Sequence, residues 1–386
     1  MTQTLFRPSL EYKDKSFKFK SLVDFPDEIL LKIFNYLDFQ MLGRCAKVCK
    51  RFREVSHDES LWEVVNLFGF QDIPEGFLEQ VLANGCKYLN VRQSNIFGTF
   101  NLINSVSKLE CLDIGVSNWV ISFSWKTMSG RVLQDIISSC RYLKKLSLAC
   151  QQTFNHQIIK NICKNGSTLQ VLDLYGYAGR LTLKDIKCLV KNCVELKELN
   201  LDSDELDSSG DILSLQSCSY ICNNLTCKIE KLSLYDQENI HDFHVEALVT
   251  RCSQITELNI SSASTTNEAV SLVVKNLSKS LAKLGIYHLN KEIFEEIKLL
   301  KKLKNLSIQP LSENEKEELI DWWGDLGLKN SGISISQKPF HSAAFDIASP
   351  YDRDNFRPDE YFWNLSCKRN FFEFVESSGE SASDSE

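Results

Sequence analysis

The sequence predicts an α/β protein in which a short all-α segment of three helices precedes a curved solenoid of about ten strand-helix repeats and an aromatic C-terminal tail. Three observations support this prediction: an apolar pattern that recurs about every 26 residues, amphipathic stretches between its copies, and short helical patterns ahead of the first copy. The repeats and the helical segment have different apolar patterns, so they are expected to be separate domains.

The recurring pattern is L-x-x-L-x-L. Its eight clear copies begin at Leu109, Leu143, Leu169, Leu196, Ile229, Ile255, Leu281 and Leu303. Weaker copies begin at Trp62, Cys86 and Asn330. A basic period near 26 residues, with two insertions of about seven, is typical of leucine-rich repeats. The pattern therefore predicts a parallel sheet with one strand per repeat.

Each x-L-x-L segment is predicted to be a strand whose leucines point into the solenoid core, with the intervening residues on the concave face. Stretches such as VLQDIISSC and HVEALVTRC are predicted to be the outer helices. Cys140, Cys193 and Cys252 recur three residues before a copy, and each is expected to be a small buried hydrophobe.

The concave face is predicted to bind a polypeptide, because tyrosines supply contact area at small entropic cost. Three tyrosines share one strand position, and carboxylates lie near the centre, which favours a target segment with some basic character. The predicted target-binding residues are Asp173, Tyr175, Glu198, Asn200, Asp202, Tyr235 and Tyr287.

Composition limits the function classes. A net charge of −7 argues mildly against nucleic acid as the main ligand, and no apolar run approaches the roughly 18 residues of a membrane span. Fourteen cysteines without a secretory signal favour reduced thiols, so nucleus and cytoplasm are the expected locations.

No catalytic residue, cofactor or metal is expected. The sequence has no glycine-rich phosphate loop, nucleophile elbow or His-Glu metal helix. One cysteine and histidine group could suggest zinc, but its spacing is irregular for a structural site, so packing is the preferred interpretation. That group is Cys218, Cys222, Cys227, His241 and His244.

The stretch DFPDEILLKIFNYLD predicts a short helix with an apolar stripe, for which Asp24 is the expected N-cap. Its apolar residues are Ile29, Leu30, Ile33, Phe34 and Leu37. A helix this short is marginal by itself, so the stripe needs a partner, which is either the rest of its own domain or another protein.

The residues around this helix resemble the F-box. The run Phe25-Pro26-Asp27-Glu28-Ile29-Leu30 resembles the opening Leu-Pro-x-Glu-Ile-Leu, and Val48-Cys49-Lys50-Arg51-Phe52 resembles Val-Cys-Lys-x-Trp. Phe25 and Phe52 replace the usual Leu and Trp, and both remain apolar. With the repeats that follow, the chain resembles the F-box/leucine-rich-repeat protein family.

The resemblance implies a non-catalytic substrate receptor of an SCF-type ubiquitin ligase. A Skp-family adaptor would bind the F-box and link it to a cullin-RING ligase, while the repeats would bind a target protein. A phosphorylated cell-cycle regulator and a small accessory protein are implied by the resemblance and stay open, and a non-ligase scaffold is the alternative. The residues carried over as adaptor contacts are Phe25, Pro26, Glu28, Ile29, Ile33, Leu37 and Val48.

The predicted boundaries are a flexible segment at 1–20, the F-box at 21–62, the repeats at 63–336, a tail at 337–375 and an acidic disordered end at 376–386. The aromatic tail is expected to pack on the solenoid, either as a cap on the last repeat or folded over the concave face.

Overall fold

The computed structural model describes residues 21–37, 39–67, 73, 76–92, 94, 108–115, 130–149, 155–203, 212–287, 291–309 and 333–336. The predicted segment 1–20, the tail 337–375 and the acidic end 376–386 lie outside the described residues. The chain divides into two compact units, Met1–Trp62 and Glu63–Glu386. Within the described ranges, no helix combines the length and the apolar character needed to cross a bilayer.

The first unit is helical and has its own core. A 3-10 turn at Leu22–Asp24 is followed by α1 (Asp27–Phe34), α2 (Phe39–Cys45), α3 (Lys50–Ser56) and the single turn α4 (Glu59–Trp62). The Phe34 and Phe52 rings meet edge to face at 5.3 Å between centroids, so the phenylalanine at the usual tryptophan position fills the core. The fully buried core residues are Leu30, Phe34, Leu42, Phe52 and Val55.

The start of α1 differs from the prediction. The helix begins at Asp27, after Pro26, and the carboxylate of Asp24 accepts a hydrogen bond from the Ser21 N–H at 3.0 Å. Asp24 is therefore wrong as the N-cap of α1, because it is the last residue of the 3-10 turn and Pro26 occupies the N-cap position. Proline suits a position where a backbone N–H would be unpaired.

Arg51 of α3 holds the segment that leads into α1. Its Nη2 donates to the Phe25 carbonyl oxygen at 2.8 Å and to Asp27 Oδ1 at 2.7 Å. Its Nη1 donates to the Val23 carbonyl oxygen. One guanidinium thus fixes the entry of the chain into α1 through two backbone carbonyls and one carboxylate.

The second unit is built on one parallel sheet of eleven strands in chain order. The strands are β1 Val64–Asn66, β2 Tyr88–Asn90, β3 Cys111–Asp113, β4 Lys145–Ser147, β5 Val171–Asp173, β6 Glu198–Asn200, β7 Lys231–Ser233, β8 Glu257–Asn259, β9 Lys283–Tyr287, β10 Asn305–Gln309 and β11 Ser334–Ser336. Each strand coincides with one predicted copy of the apolar pattern, including the three weaker copies. The predicted fold class is confirmed: the described residues contain eleven strands in place of about ten, and four helices in place of three in the first unit.

Helices connect the strands. They are α5 Phe77–Ala83, α6 Gly130–Ser139, α7 His156–Lys164, α8 Leu183–Asn192, α9 Leu215–Asn224, α10 Asp242–Arg251, α11 Asn267–Leu277 and α12 Lys291–Ile297. The strand leucines and the apolar helix faces are buried together, so each repeat completes the core of the next. Cys140, Cys193 and Cys252 are buried as predicted.

Candidate binding surfaces

The helix α1 has two apolar faces rather than one stripe. Leu30 and Phe34 point into the core of the first unit and are at most 3% exposed. Ile29 and Ile33, each one residue earlier, lie a turn apart and are 38% and 37% exposed. The predicted stripe is therefore split, and half of it has no cover within the described part of this unit.

Other apolar side chains of the same unit are exposed too. Val48, in the turn before α3, is 67% exposed, and Tyr36, just after α1, is 86% exposed. Met41 of α2 is also among the exposed apolar residues. We call Ile29, Ile33, Tyr36, Met41 and Val48 the outward apolar set. The sequence analysis missed Tyr36 and Met41, although Tyr36 follows Ile33 at helical spacing.

The predicted adaptor contacts fall into two groups. The exposed contacts are Pro26 and Glu28 together with three members of the outward apolar set, Ile29, Ile33 and Val48. Phe25 and Leu37 are half-buried and pack against the core of the first unit. These two residues therefore support the helices, because their side chains are partly used inside the unit.

The strand register of the second unit arranges its non-core side chains in three rows. The first row contains Glu198, Lys231, Glu257 and Lys283, which are register partners on β6 to β9. Lys231 Nζ lies 3.2 Å from Glu198 Oε1 and 3.9 Å from Glu257 Oε1. Lys283 Nζ lies 3.1 Å from Glu257 Oε2. Glu198 thus already has a cationic neighbour, so it is not an unpaired charge for a ligand.

The second row lies two residues further along each strand and is mostly Asp, Asn and Ser. Asp113, Asp173, Asn200 and Asn259 each use Oδ1 to accept a hydrogen bond from the backbone N–H two residues on, at 2.9, 3.1, 2.9 and 3.2 Å. Such local bonds form an Asx turn at the end of each of these four strands. Ser147 Oγ also donates to Asp173 Oδ2 at 2.8 Å.

The third row lies two residues beyond the second. It contains Arg92, Gly115, Ala149, Tyr175, Asp202, Tyr235, Ser261 and Tyr287. Backbone hydrogen bonds between neighbouring repeats continue in this row. The Ser203 N–H donates to the Tyr235 carbonyl at 3.0 Å, and the Asp236 N–H donates to the Ser261 carbonyl at 2.8 Å. The three tyrosines therefore occupy equivalent positions in one row.

Four of the predicted target-binding residues are buried, whereas the strand pattern predicted exposed positions. They are Asp173, Asn200, Asp202 and Tyr235. Tyr175 and Tyr287 are half-buried. Alternation along a strand gives the direction of a side chain but not its accessibility. Neighbouring rungs are only about 4.8 Å apart, and short polar side chains turn back onto the backbone.

Burial raises the pKa values of two carboxyl groups on the concave face. It raises the pKa of Asp202 to about 7, with smaller contributions from the neighbouring charges of Asp173 and Asp236. It also raises the pKa of Asp173, against which Arg92 and Ser147 act in the opposite direction. The centre of the face therefore contains carboxyl groups that are costly to ionise.

Arg92 is a functional candidate that the sequence analysis missed. Its Nη1 lies 3.5 Å from Asp113 Oδ2, and a Cβ on Gly115 would come within 3.2 Å of its Nε. The glycine thus leaves room for the guanidinium on this face. The sequence could have indicated Arg92, because it lies two residues after Asn90 in a weaker copy of the repeat. Concave-face positions were assigned only in the clear copies.

Hydrogen-bonding capacity is left over around β8. Asn259 Nδ2 and Ser261 Oγ are buried and have no hydrogen-bond partner among the described residues, whereas a hydrogen bond from Ser233 acts to lower the pKa of Asp202. Buried polar atoms normally have partners, so this set distinguishes the centre of the second and third rows from the ion-paired first row.

Three members of the cysteine and histidine group considered for zinc, Cys218, Cys222 and His244, are buried, whereas Cys227 is exposed. Cys218 and Cys222 are buried in α9. The His241 N–H donates to His244 Nδ1 at 3.1 Å, which leaves the proton on Nε2, and Nε2 lies 2.8 Å from Ser219 Oγ. Across the residues that the structure describes, no three His, Cys, Asp or Glu side chains are placed to hold a metal ion.

A comparison with known protein families finds a match at the helical start of the chain. A family model described as F-box-like matches residues 22–67. Together with the strand order above, this match defines the class of protein: an F-box-like domain followed by a leucine-rich-repeat solenoid.

Solved structures give weaker likenesses. The leucine-rich repeat-containing protein LegL7 from Legionella pneumophila is 14% identical, with 61% of this chain and 70% of that chain covered and a TM-score of 0.37. The arginine decarboxylase of Paramecium bursaria Chlorella virus bound to agmatine is 11% identical, with 47% and 53% covered and a TM-score of 0.19. This chain spans about half of the decarboxylase. At such TM-scores neither likeness bears on fold or function.

Proposed function

We propose that the protein is a non-catalytic substrate receptor of an SCF-type ubiquitin ligase. Its F-box-like domain binds a Skp-family adaptor, which links it to a cullin-RING ligase, and its repeats bind a target protein. Such a receptor acts by proximity: it raises the concentration of the target beside the conjugating enzyme and needs no active site of its own.

The outward apolar set is the observation that carries this proposal. Ile29 and Ile33 are exposed on the same short helix whose Leu30 and Phe34 complete the core, so the folding of the unit does not explain them. Contiguous exposed apolar side chains on a small domain are typical of a protein interface. A second protein would complete the face that the helix leaves open.

The repeats support the second half of the proposal through Tyr175 and Tyr287, which are the accessible aromatics of the third row. The basic character predicted for the target segment gains no support from the nearby acids, which are buried or ion-paired. The passages HDESLWEVVNL and LANGCKYLNVRQS resemble the S-phase kinase-associated F-box protein. That resemblance extends the proposal to a phosphorylated cell-cycle regulator, a small accessory protein and action in nucleus and cytoplasm, with the aromatic tail packed on the solenoid.

The adaptor interaction is tested with the double variant Pro26→Ala/Ile33→Asp. An unpaired carboxylate in an apolar interface costs roughly 3 kcal/mol, so co-purification of the adaptor should fall by at least about a hundredfold. The matched control is Val194→Asp, which places the same charge on an exposed apolar residue of the repeats. It should leave adaptor binding unchanged.

Undiminished adaptor binding by the double variant, with helical content like that of the unaltered chain, would overturn the F-box proposal. The scaffold alternative is separated by asking whether a cullin co-purifies and whether any proteins accumulate when the chain is depleted from cells. A receptor meets both conditions, whereas a scaffold joins proteins without changing their lifetimes.

A further inference from the structure

Two thiols from successive repeats lie together at the helix ends that precede β7 and β8. Cys227 is exposed in the connection from α9 to β7, and Cys252, at the end of α10, is fully buried. Cys252 Sγ donates to the carbonyl oxygen of Thr226, the residue before Cys227, at 3.8 Å. Both cysteines are free, so a buried thiol lies beside the segment that carries an exposed one, with no bond between them.

An arginine is fixed beside the exposed sulfur. Arg251 Nη1 donates to the Cys222 carbonyl at 3.2 Å, and Nη2 donates to the Leu225 carbonyl at 3.1 Å. The same Nη2 lies 4.0 Å from Cys227 Sγ. The two carbonyls hold the guanidinium in place, so the oxygen that leaves a peroxide during attack by Cys227 would meet a fixed cationic hydrogen-bond donor.

We propose that Cys227 and Cys252 form a peroxide-responsive disulfide, with Cys227 as the attacking cysteine and Cys252 as the resolving one. The Cys227 sulfur attacks one peroxide oxygen, the O–O bond breaks, and water leaves after protonation, so that Cys227 becomes a sulfenic acid. The Cys252 sulfur then attacks the Cys227 sulfur, the S–O bond breaks, and a second water leaves. Hydrogen peroxide is reduced by two electrons, and the two thiols are oxidised to one disulfide.

The division of roles follows from the surroundings of each sulfur. Burial raises the pKa of Cys252 to about 11, so that it remains a thiol at neutral pH and does not compete for peroxide. The disulfide would join two adjacent repeats just before β7 and β8. It would therefore restrain the rungs that carry Tyr235 and Ser261, whatever the target of the protein is.

A second pair in the same unit is an internal comparison. Cys163 of α7 and Cys188 of α8 also lie on neighbouring helices of successive repeats, and Cys188 helps to raise the pKa of Cys163. Cys163 is buried, and no guanidinium contact to either sulfur occurs among the described residues. If proximity of the thiols were sufficient, both pairs would oxidise equally. If exposure and the arginine matter, the Cys227–Cys252 pair oxidises first.

The test uses the full chain purified with its adaptor and treated with hydrogen peroxide, followed by alkylation and non-reducing peptide mass spectrometry. We expect a Cys227–Cys252 cross-linked peptide that dithiothreitol reverses and that forms at least about tenfold faster than a Cys163–Cys188 peptide. Cys252→Ser should instead accumulate a sulfenic acid on Cys227 that dimedone traps. Oxidation should raise the melting temperature of the unaltered chain but not of Cys227→Ser.

The role of the arginine is tested by Arg251→Gln, which should slow disulfide formation several-fold, and by Arg251→Lys, which should restore much of the rate. Cys188→Ser is the matched control and should change nothing at Cys227. Equal rates for the two cysteine pairs, or cross-linking of Cys227 to any other residue, would overturn the proposal. The absence of any dimedone adduct in Cys252→Ser would do the same.

Discussion

The position of one residue in the repeats can determine the pKa of its side chain, as a buried carboxyl group shows. Asp202 is 0% exposed, and its Oδ1 accepts the Tyr235 N–H at 2.8 Å. A hydrogen bond from the Ser233 side chain also stabilises the carboxylate. Burial outweighs both hydrogen bonds and raises the pKa of Asp202 to about 7.

We expect Asp202→Asn to stabilise the protein above neutral pH. The folded state holds a proton on Asp202 up to about pH 7, whereas the unfolded chain loses it near pH 4, so this group lowers stability as pH rises between those values. Asparagine keeps the oxygen that accepts the Tyr235 N–H and removes the titration. The free energy of unfolding should gain on the order of 3 kcal/mol at pH 8 relative to pH 4.

The measurement is urea unfolding of the variant and the unaltered chain at several pH values. A gain that is the same at pH 4 and pH 8 would show that Asp202 does not titrate in this range.

His244 should give the opposite pH dependence. Burial, with help from His241, lowers its pKa to about 4, below the value near 6.5 of an unfolded histidine. The unfolded chain therefore binds more protons between these values, and stability is lost as pH falls through that window. His244→Gln can still accept the His241 N–H and donate to Ser219, so it should flatten acid unfolding between pH 6.5 and pH 4. Acid titration followed by circular dichroism checks this, and an unchanged slope would contradict the assignment.

At the scale of an element, α1 owes its position to side chains outside itself. It has eight residues and would be marginal alone, so it depends on the core contacts of Leu30 and Phe34 and on the Arg51 clamp. Ile29 and Ile33 are therefore not part of the core of the first unit. An interface can be formed on such a short helix because its own unit fixes the opposite face.

We expect Arg51→Ala to destabilise the first unit without altering the repeats. The variant leaves the Val23 and Phe25 carbonyls without their donor, and such bonds are worth about 1 kcal/mol each. The ion pair with Asp27 is more than a third exposed and adds little. Hydrogen exchange should therefore increase in α1 by roughly tenfold, with unchanged protection in β5 to β9. Lys50→Ala, whose exposed ion pair joins only α3 residues, is the control.

At the scale of the whole molecule, the array converts one repeated pattern into rows with different chemistry. The first row is neutralised by alternating Glu and Lys, the second forms Asx turns at the strands that end in Asp or Asn, and the third carries the tyrosines. A target that lies across the repeats would meet these rows in order. The half-buried tyrosines are then the most accessible anchors.

We expect Tyr175→Ala/Tyr287→Ala to weaken target binding by about 1–4 kcal/mol, the range typical of central aromatic anchors. Tyr235 is left intact because it is buried, and its truncation would disturb folding. The measurement is a target-binding or degradation assay, with adaptor binding as the check on folding. Leu215→Ala/Phe243→Ala, two exposed apolar residues on α9 and α10, is the control and should be near neutral. Normal target binding by the tyrosine variant together with loss in the control would place the target on the helices.

The sequence by itself determined where the strands and helices of both units lie. A period near 26 residues located all eleven strands, because stacked repeats must place core leucines at the same register. The motif around α1 located the F-box-like domain, because short helices with a shared core require fixed apolar spacings. Even the cysteines at helix ends were predictable as buried packing residues.

Only the tertiary structure decided which of these residues are available to other molecules. Ile29 and Leu30 are neighbours of the same type, and the packing of α3 against α1 makes one core and the other surface. Asp202 lies on the predicted face, yet its neighbours in adjacent rungs bury it. Cys227 and Cys252 are distant in sequence and meet because successive repeats stack in register. Exposure, pKa and contacts between repeats depend on residues far apart in the chain, and a periodic pattern read along the chain does not contain them.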